Sequence, residues 1–152
     1  NIPAIGIDTK TEKFNTCNEN GAEFSVSPME NDLKNKIADF SKSNDLDVVI
    51  DFVSSKSSLE LGCSILGKGG RLVTLGGSGE QFLANSADML VKELELIGSR
   101  YCTKQELKES LDLYARGLIE PLVSVKTDFD GAEGLHDKIE KGEITGRAGI
   151  LI

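Results

Sequence analysis

Long apolar runs are missing from this sequence. No stretch of its 152 residues approaches the roughly 20 apolar residues that span a bilayer. No basic, apolar, small-residue leader opens it, so nothing points to secretion and a cytoplasmic setting is expected. Histidine is nearly absent, with His136 alone, and the three cysteines, Cys17, Cys63 and Cys102, lie far apart without a CxxC pair. A complete metal site built from this chain alone is therefore not expected, and scattered, odd-numbered thiols fit reduced cysteines in buried apolar positions. Positive charge is also in deficit: 17 Lys and Arg against 25 Asp and Glu give a formal net charge of −8. That balance repels a phosphate backbone or an anionic membrane, which disfavours nucleic-acid and membrane partners and leaves a small soluble ligand.

What is present alternates. Short apolar runs at 2–7, 24–26, 47–53, 71–75, 94–98, 121–125 and 148–152 read as strands, and 47–53 (DVVIDFV) reads as the clearest buried one. Between them come helical patterns. Thr9 and Glu12 have capping-box spacing before Phe14 and Cys17, and Gly21 closes that helix. The stretch 32–43 places Leu33, Ile37 and Phe40 on one stripe. Leu59, Cys63 and Leu66 recur at helical spacing until Gly67, Gly69 and Gly70 turn the chain, and a weaker helix covers 86–92. Thr103 and Glu106 form a second capping box ahead of Leu107, Leu111 and Tyr114, with Gly117 as terminator. Asp130 and Glu133 open a last helix carrying Leu135 and Ile139, which stops at Gly142. Strands separated by helices of 10–15 residues predict an α/β fold: a doubly wound, mainly parallel, Rossmann-like sheet with right-handed connections and helices on both faces. No repeat or linker interrupts 1–152, so one domain is expected.

In such a sheet, ligands bind beyond the carboxyl ends of the strands. The residues there are Asp8, Phe52, Val53, Leu75, Gly76, Gly77, Gly98, Ser99 and Arg100. Asp8 stands out, because an acid at a strand end can accept from both ribose hydroxyls of an adenosine and would repel a 2′-phosphate, favouring NAD over NADP. The plainer reading is that Asp8 caps the helix after it. Gly76 and Gly77 would let backbone approach a flat ring without a Cβ between. The phosphate-binding GxGxxG turn is absent; GKGGRLVTLGGSG has many glycines at other spacings and before a strand.

The blocks DVVIDFVSSKSSLELGCSILGKGGRLVTLGG, KELELIGSR and KGEITGRAGILI, in this order, resemble the cofactor domain of the medium-chain dehydrogenase/reductase superfamily. The nearest flavour is the zinc-type alcohol, polyol and threonine dehydrogenases, and the likeness runs from Asn1 to Ile152. It implies the C-terminal part of a two-domain enzyme, from the second strand of the cofactor domain onward, without the first strand and its glycine turn. It also implies that Asp8 and Lys13 bind the adenosine ribose and that Leu75, Gly76 and Gly77 line the nicotinamide pocket. Gly98, Ser99 and Arg100 would lie beside the carboxamide, and Arg147 would contact the pyrophosphate, a diphosphate being well matched by a guanidinium fork. Read alone, Lys13 and Arg147 are solvated surface charges.

The zinc ligands and proton-relay residues of that family lie upstream, so no catalytic or metal-binding residue is expected here, and His136 reads as surface. Alone, the chain is expected to be inactive. NAD is the expected cofactor, an alcohol or carbonyl compound the substrate, and a homodimer or homotetramer the assembly, paired around 94–98. Losing the central first strand would leave unpaired backbone and exposed apolar faces. Three alternatives stay open: a zinc-free quinone or enoyl reductase of the same superfamily, an S-adenosylmethionine-dependent methyltransferase, and a nucleotide-sensing module without chemistry. The methyltransferase also carries an acid after its second strand, but its sheet ends in an antiparallel hairpin.

Overall fold

In the computed structural model, which describes residues 2–42 and 46–152, every strand pairing among the described residues is parallel. The chain forms two compact units, Asn1–Tyr101 and Cys102–Ile152. Asn1 and Ser43, the latter the expected end of the second helix, lie outside the described residues.

In the first unit, strand β1 (Gly6–Ile7) pairs with β2 (Ser25–Val26). The apolar run at 2–7 therefore gives a shorter strand than expected. The partner sets the limit, since in this register residues 2–4 face the turn at 21–23 that leaves α1, where Gly21 takes φ +104°, although Glu23 N–H still donates to Ala4 C=O at 2.9 Å. The Thr9–Glu12 capping box does not form among the described residues. A 3-10 turn at Thr11–Lys13 leads into helix α1 (Phe14–Glu19), and Lys10, without a capping side chain, stands at its start. Helix α2 (Leu33–Ser41) buries Leu33 and Ile37 as its stripe requires, and Phe40 meets Phe24 edge-to-face at 5.8 Å. Val26, Leu33, Ile37 and Ile65 form one core cluster, against which Ile7 of β1 and Val49 of the next sheet both pack.

That sheet has the order β3 (Leu46–Asp51), β4 (Leu66–Thr74), β5 (Glu95–Gly98). Helix α3 (Lys56–Ile65) is closed by a Ser55–Ser58 capping box and buries Leu59 and Ile65. Gly67, Gly69 and Gly70 do not end the helix in a free turn. They bulge β4 between the pairings Leu46↔Leu66 and Val48↔Arg71, and Gly69 takes φ +72° to do so. Helix α4 (Ser86–Lys92) starts at Asn85, and its Lys92 Nζ donates to Leu66 C=O at 2.7 Å, satisfying a carbonyl just past the end of α3. Leu59, Leu66 and Leu72 make the second core cluster. β3 is buried on one side only: Val49 packs inward, while Val48 and Ile50 are about half exposed. Its alternation, rather than burial on both faces, is what the structure shows. β1 and β3 each have a single strand neighbour among the described residues, so each presents an open edge.

In the second unit, α5 (Lys104–Ala115) carries the expected Thr103–Glu106 capping box. Strands β6 (Val123–Thr127) and β7 (Arg147–Ile150) pair in parallel, joined through α6 (Ala132–Glu140). Leu135 is the buried residue of α6, whereas Ile139 is exposed. Leu107, Leu111 and Tyr114 of α5 are each more than half exposed.

Candidate functional site

The register of the central sheet sets its tips level. Asp51 lies opposite Thr74, and Thr74 opposite Gly98. The chain leaving each strand then hydrogen-bonds to its neighbour: Leu75 N–H to Asp51 C=O and Ser99 N–H to Thr74 C=O, both at 2.9 Å. Beyond these tips lies a cavity of about 410 Å³ lined by Leu75, Gly76, Gly77, Ser99, Arg100 and Tyr101. Its size falls in the range of small-molecule sites. Gly98 ends the strand beside it. Phe52 and Val53 follow the tip of β3 and are exposed, and the backbone of Val53 lies against Gly76. A Cβ at Gly77 or Gly98 would meet no described atom within 4 Å, so the glycines leave open space where a flat group could approach.

Tyr101 was not among the expected residues. The Arg100 guanidinium stacks over its ring at 4.6 Å and donates to its hydroxyl at 3.2 Å. Tyr101 itself is held at φ 57°, a left-handed conformation uncommon outside glycine. The adjacent Arg-Tyr pair after a strand was the one available signal.

Asp8 follows β1 directly. Its Oδ1 accepts from Lys10 N–H at 2.9 Å, and its Oδ2 lies 3.4 Å from Lys13 Nζ. Both side chains are about a third exposed. Asp8 therefore does not cap the helix after it; it ties its own turn through Lys10 N–H. A carboxylate has about four acceptor positions. The described residues use two of them, which leaves room for a pair of hydroxyls.

Arg147 opens β7 in the second unit, exposed, with its N–H bonded to Leu122 C=O at 2.7 Å. Among the described residues, no group of three His, Cys, Asp or Glu is placed to hold a metal ion, so these residues do not fit a zinc. His136 is exposed on α6. Burial pushes the Cys63 thiol up, opposed by nearby Lys92, so this cysteine is a poor nucleophile. Among the described residues, no helix is long and apolar enough to cross a membrane.

A parallel α/β unit with an acid–lysine pair after one strand and a glycine-lined cavity at the tips of others has the architecture of a nucleotide-cofactor domain. Comparison with known proteins sharpens this. Residues 2–116 match the family model for zinc-binding dehydrogenase, and the chain belongs to that family. It is 27% identical over 145 residues to an NAD-dependent alcohol dehydrogenase of Sulfolobus acidocaldarius, covering 94% of this chain and 41% of that protein. An alcohol dehydrogenase of Geobacillus stearothermophilus is 25% identical over 151 residues, covering 99% and 44%. The crystal structure of the Aeropyrum pernix alcohol dehydrogenase superposes with a TM-score of 0.84 at 27% identity, covering 95% and 41%. The chain thus spans less than half the length of the curated relatives it matches. The methyltransferase alternative is not supported: the final strand pair, β6 and β7, is parallel, not an antiparallel hairpin.

Proposed function

We propose that this chain is the NAD(H)-binding portion of a zinc-type, alcohol dehydrogenase-like oxidoreductase that exchanges a hydride between an alcohol or its carbonyl product and the nicotinamide cofactor. The observation that carries this reading is the Asp8–Lys13 pair at the carboxyl end of β1. Asp8, with acceptor positions to spare, takes the two ribose hydroxyls and disfavours a 2′-phosphate, while Lys13 reaches the same ribose. Leu75, Gly76 and Gly77 hold the nicotinamide ring, and Gly98, Ser99 and Arg100 flank its carboxamide. Phe52 and Val53 close one side; in the second unit, Arg147 offers a guanidinium suited to a diphosphate. When bound, NAD supplies the hydride acceptor, and the chain's own residues bind and orient it.

Zinc, the substrate pocket and the groups that move protons belong to the rest of a two-domain enzyme. β5 has β4 as its one strand neighbour among the described residues, and with Leu96 and Ile97 more than a third exposed this edge favours pairing with a second copy in a homodimer or homotetramer. The protein works in the cytoplasm. The test is NAD⁺-linked oxidation of a panel of alcohols by the full-length protein. Turnover with NAD⁺ supports the reading, and activity confined to NADPH-linked reduction of enones or quinones would replace it.

A further inference from the structure

We infer that Asp51 and Ser54 are positioning residues for the cofactor, because a polar cluster, buried Asp51 and Ser54 with partly buried Thr74 and exposed Ser78, ties the chain after β3 to the chain after β4. The inference rests on the NAD-binding reading above. Phe52, Val53 and Leu75 are exposed, so apolar burial does not pin these two segments. Hydrogen bonds do. Asp51 is 7% exposed, and its Oδ1 accepts from Val53 N–H at 2.8 Å and Ser54 N–H at 2.9 Å. This turn places Ser54, 6% exposed, in the left-handed region at φ 55°.

From there the Ser54 hydroxyl reaches the Thr74 hydroxyl at the tip of β4, and the Ser78 hydroxyl donates to Ser54 C=O. Gly76 lies between these bonds, with the Val53 carbonyl so close that a Cβ would stand 2.5 Å from its oxygen. Gly76 lines the cavity proposed for the nicotinamide. The hydrogen bonds made by buried Asp51 and Ser54 hold this turn in place, and a bound ring is oriented only as well as the wall it rests on. Asp51 Oδ2 is equally buried and has no hydrogen-bond partner among the described residues, so the carboxylate keeps one acceptor beyond those the turn uses.

The test uses the full-length protein and measures NADH affinity, KM for NAD⁺, kcat and thermal stability. Ser54→Ala and Thr74→Val each remove the same hydroxyl contact. Each is expected to weaken NADH and raise KM for NAD⁺ about 3- to 10-fold with kcat nearly unchanged, and the double variant should be no worse than either single. Asp51→Asn, which keeps an oxygen at the Oδ1 position, should bind NADH better than Asp51→Ala. If Asp51→Ala does not fold, the two hydroxyl variants still decide. Wild-type binding of NADH with Ser54→Ala and Thr74→Val both indistinguishable from it would overturn the inference alone. Failure of the wild-type protein to bind NADH would overturn the NAD reading and the inference with it.

Discussion

Gly76 and Gly77 are adjacent, yet a methyl group added to each should act oppositely on stability. At Gly76 the new Cβ would lie 2.5 Å from Val53 O, 2.6 Å from Val53 C and 2.8 Å from Ser54 Oγ. Two of these are backbone atoms of a turn held by Asp51, so the strain cannot be relieved by rotating a side chain. Overpacking of this kind costs about 1–3 kcal/mol, offset by about 0.4–1 kcal/mol from the smaller entropy of the unfolded alanine chain. Gly76→Ala should therefore destabilise by about 1–2 kcal/mol, a fall in Tm of about 2–8 °C.

At Gly77 a Cβ meets no described atom within 4 Å, and the residue does not need a positive φ, so Gly77→Ala should leave Tm unchanged or slightly raised. Its methyl would instead occupy cavity space assigned to the ring, weakening NADH roughly tenfold or more, as one misplaced methyl can. Differential scanning fluorimetry and NADH titration of the full-length variants measure both effects. A Gly76→Ala protein as stable as wild type, together with a Gly77→Ala protein of undiminished NADH affinity, would refute the reasoning.

Ile37, 1% exposed between Val26, Leu33 and Ile65, joins α2 to the core, and Ile37→Ala should cost about 2–5 kcal/mol, read as a lower denaturation midpoint. A loss below about 1 kcal/mol would mean the cluster is not packed as described. The Thr103 N–H and hydroxyl hold the Glu106 carboxyl below its ordinary value. Because the folded value is the lower one, this stabilisation is complete above the unfolded carboxylate pKa, about 4.3, and is lost as pH falls through the folded value. NMR of the Thr103 and Glu106 amides should accordingly show the first turn of α5 intact at about pH 5 and fraying only in stronger acid. Fraying that begins near neutrality would contradict the capping box.

Parallel α/β organisation was readable from the sequence because strand and helix periods alternate cleanly, and Leu33, Ile37, Leu59 and Leu135 are buried where their periods place them. Boundaries were less readable. Residues 2–5 are as apolar as a strand but lack a partner long enough to extend the ladder, and the Thr9–Glu12 spacing forms no box because Lys10, not Thr9, stands at the N-cap, its N–H held by Asp8. Val48 and Ile50 read as buried on composition alone, whereas exposure depends on what lies across the sheet, which a local pattern cannot contain. The strand-tip residues Leu75, Gly76, Gly77, Ser99 and Arg100 were chosen by position, and the structure places them around one cavity. The Ser54–Thr74 contact was not legible because two small hydroxyls meet across strands, whereas Asp51 binds within its own turn and Tyr101 pairs with its neighbour Arg100, local contacts that strand and helix periods do not report.

The central claim is that Asp8 holds the ribose of NAD. Its most direct measurement is the affinity of the full-length protein for NAD⁺ and NADP⁺ by calorimetry, in the wild type and in Asp8→Asn. The wild type should bind NAD⁺ the more tightly. Asp8→Asn, losing charge-assisted hydrogen bonds and the repulsion of a 2′-phosphate, should weaken NAD⁺ about 10- to 100-fold and narrow or invert the preference. Tighter binding of NADP⁺ by the wild type, or a preference that Asp8→Asn leaves unchanged, would contradict it.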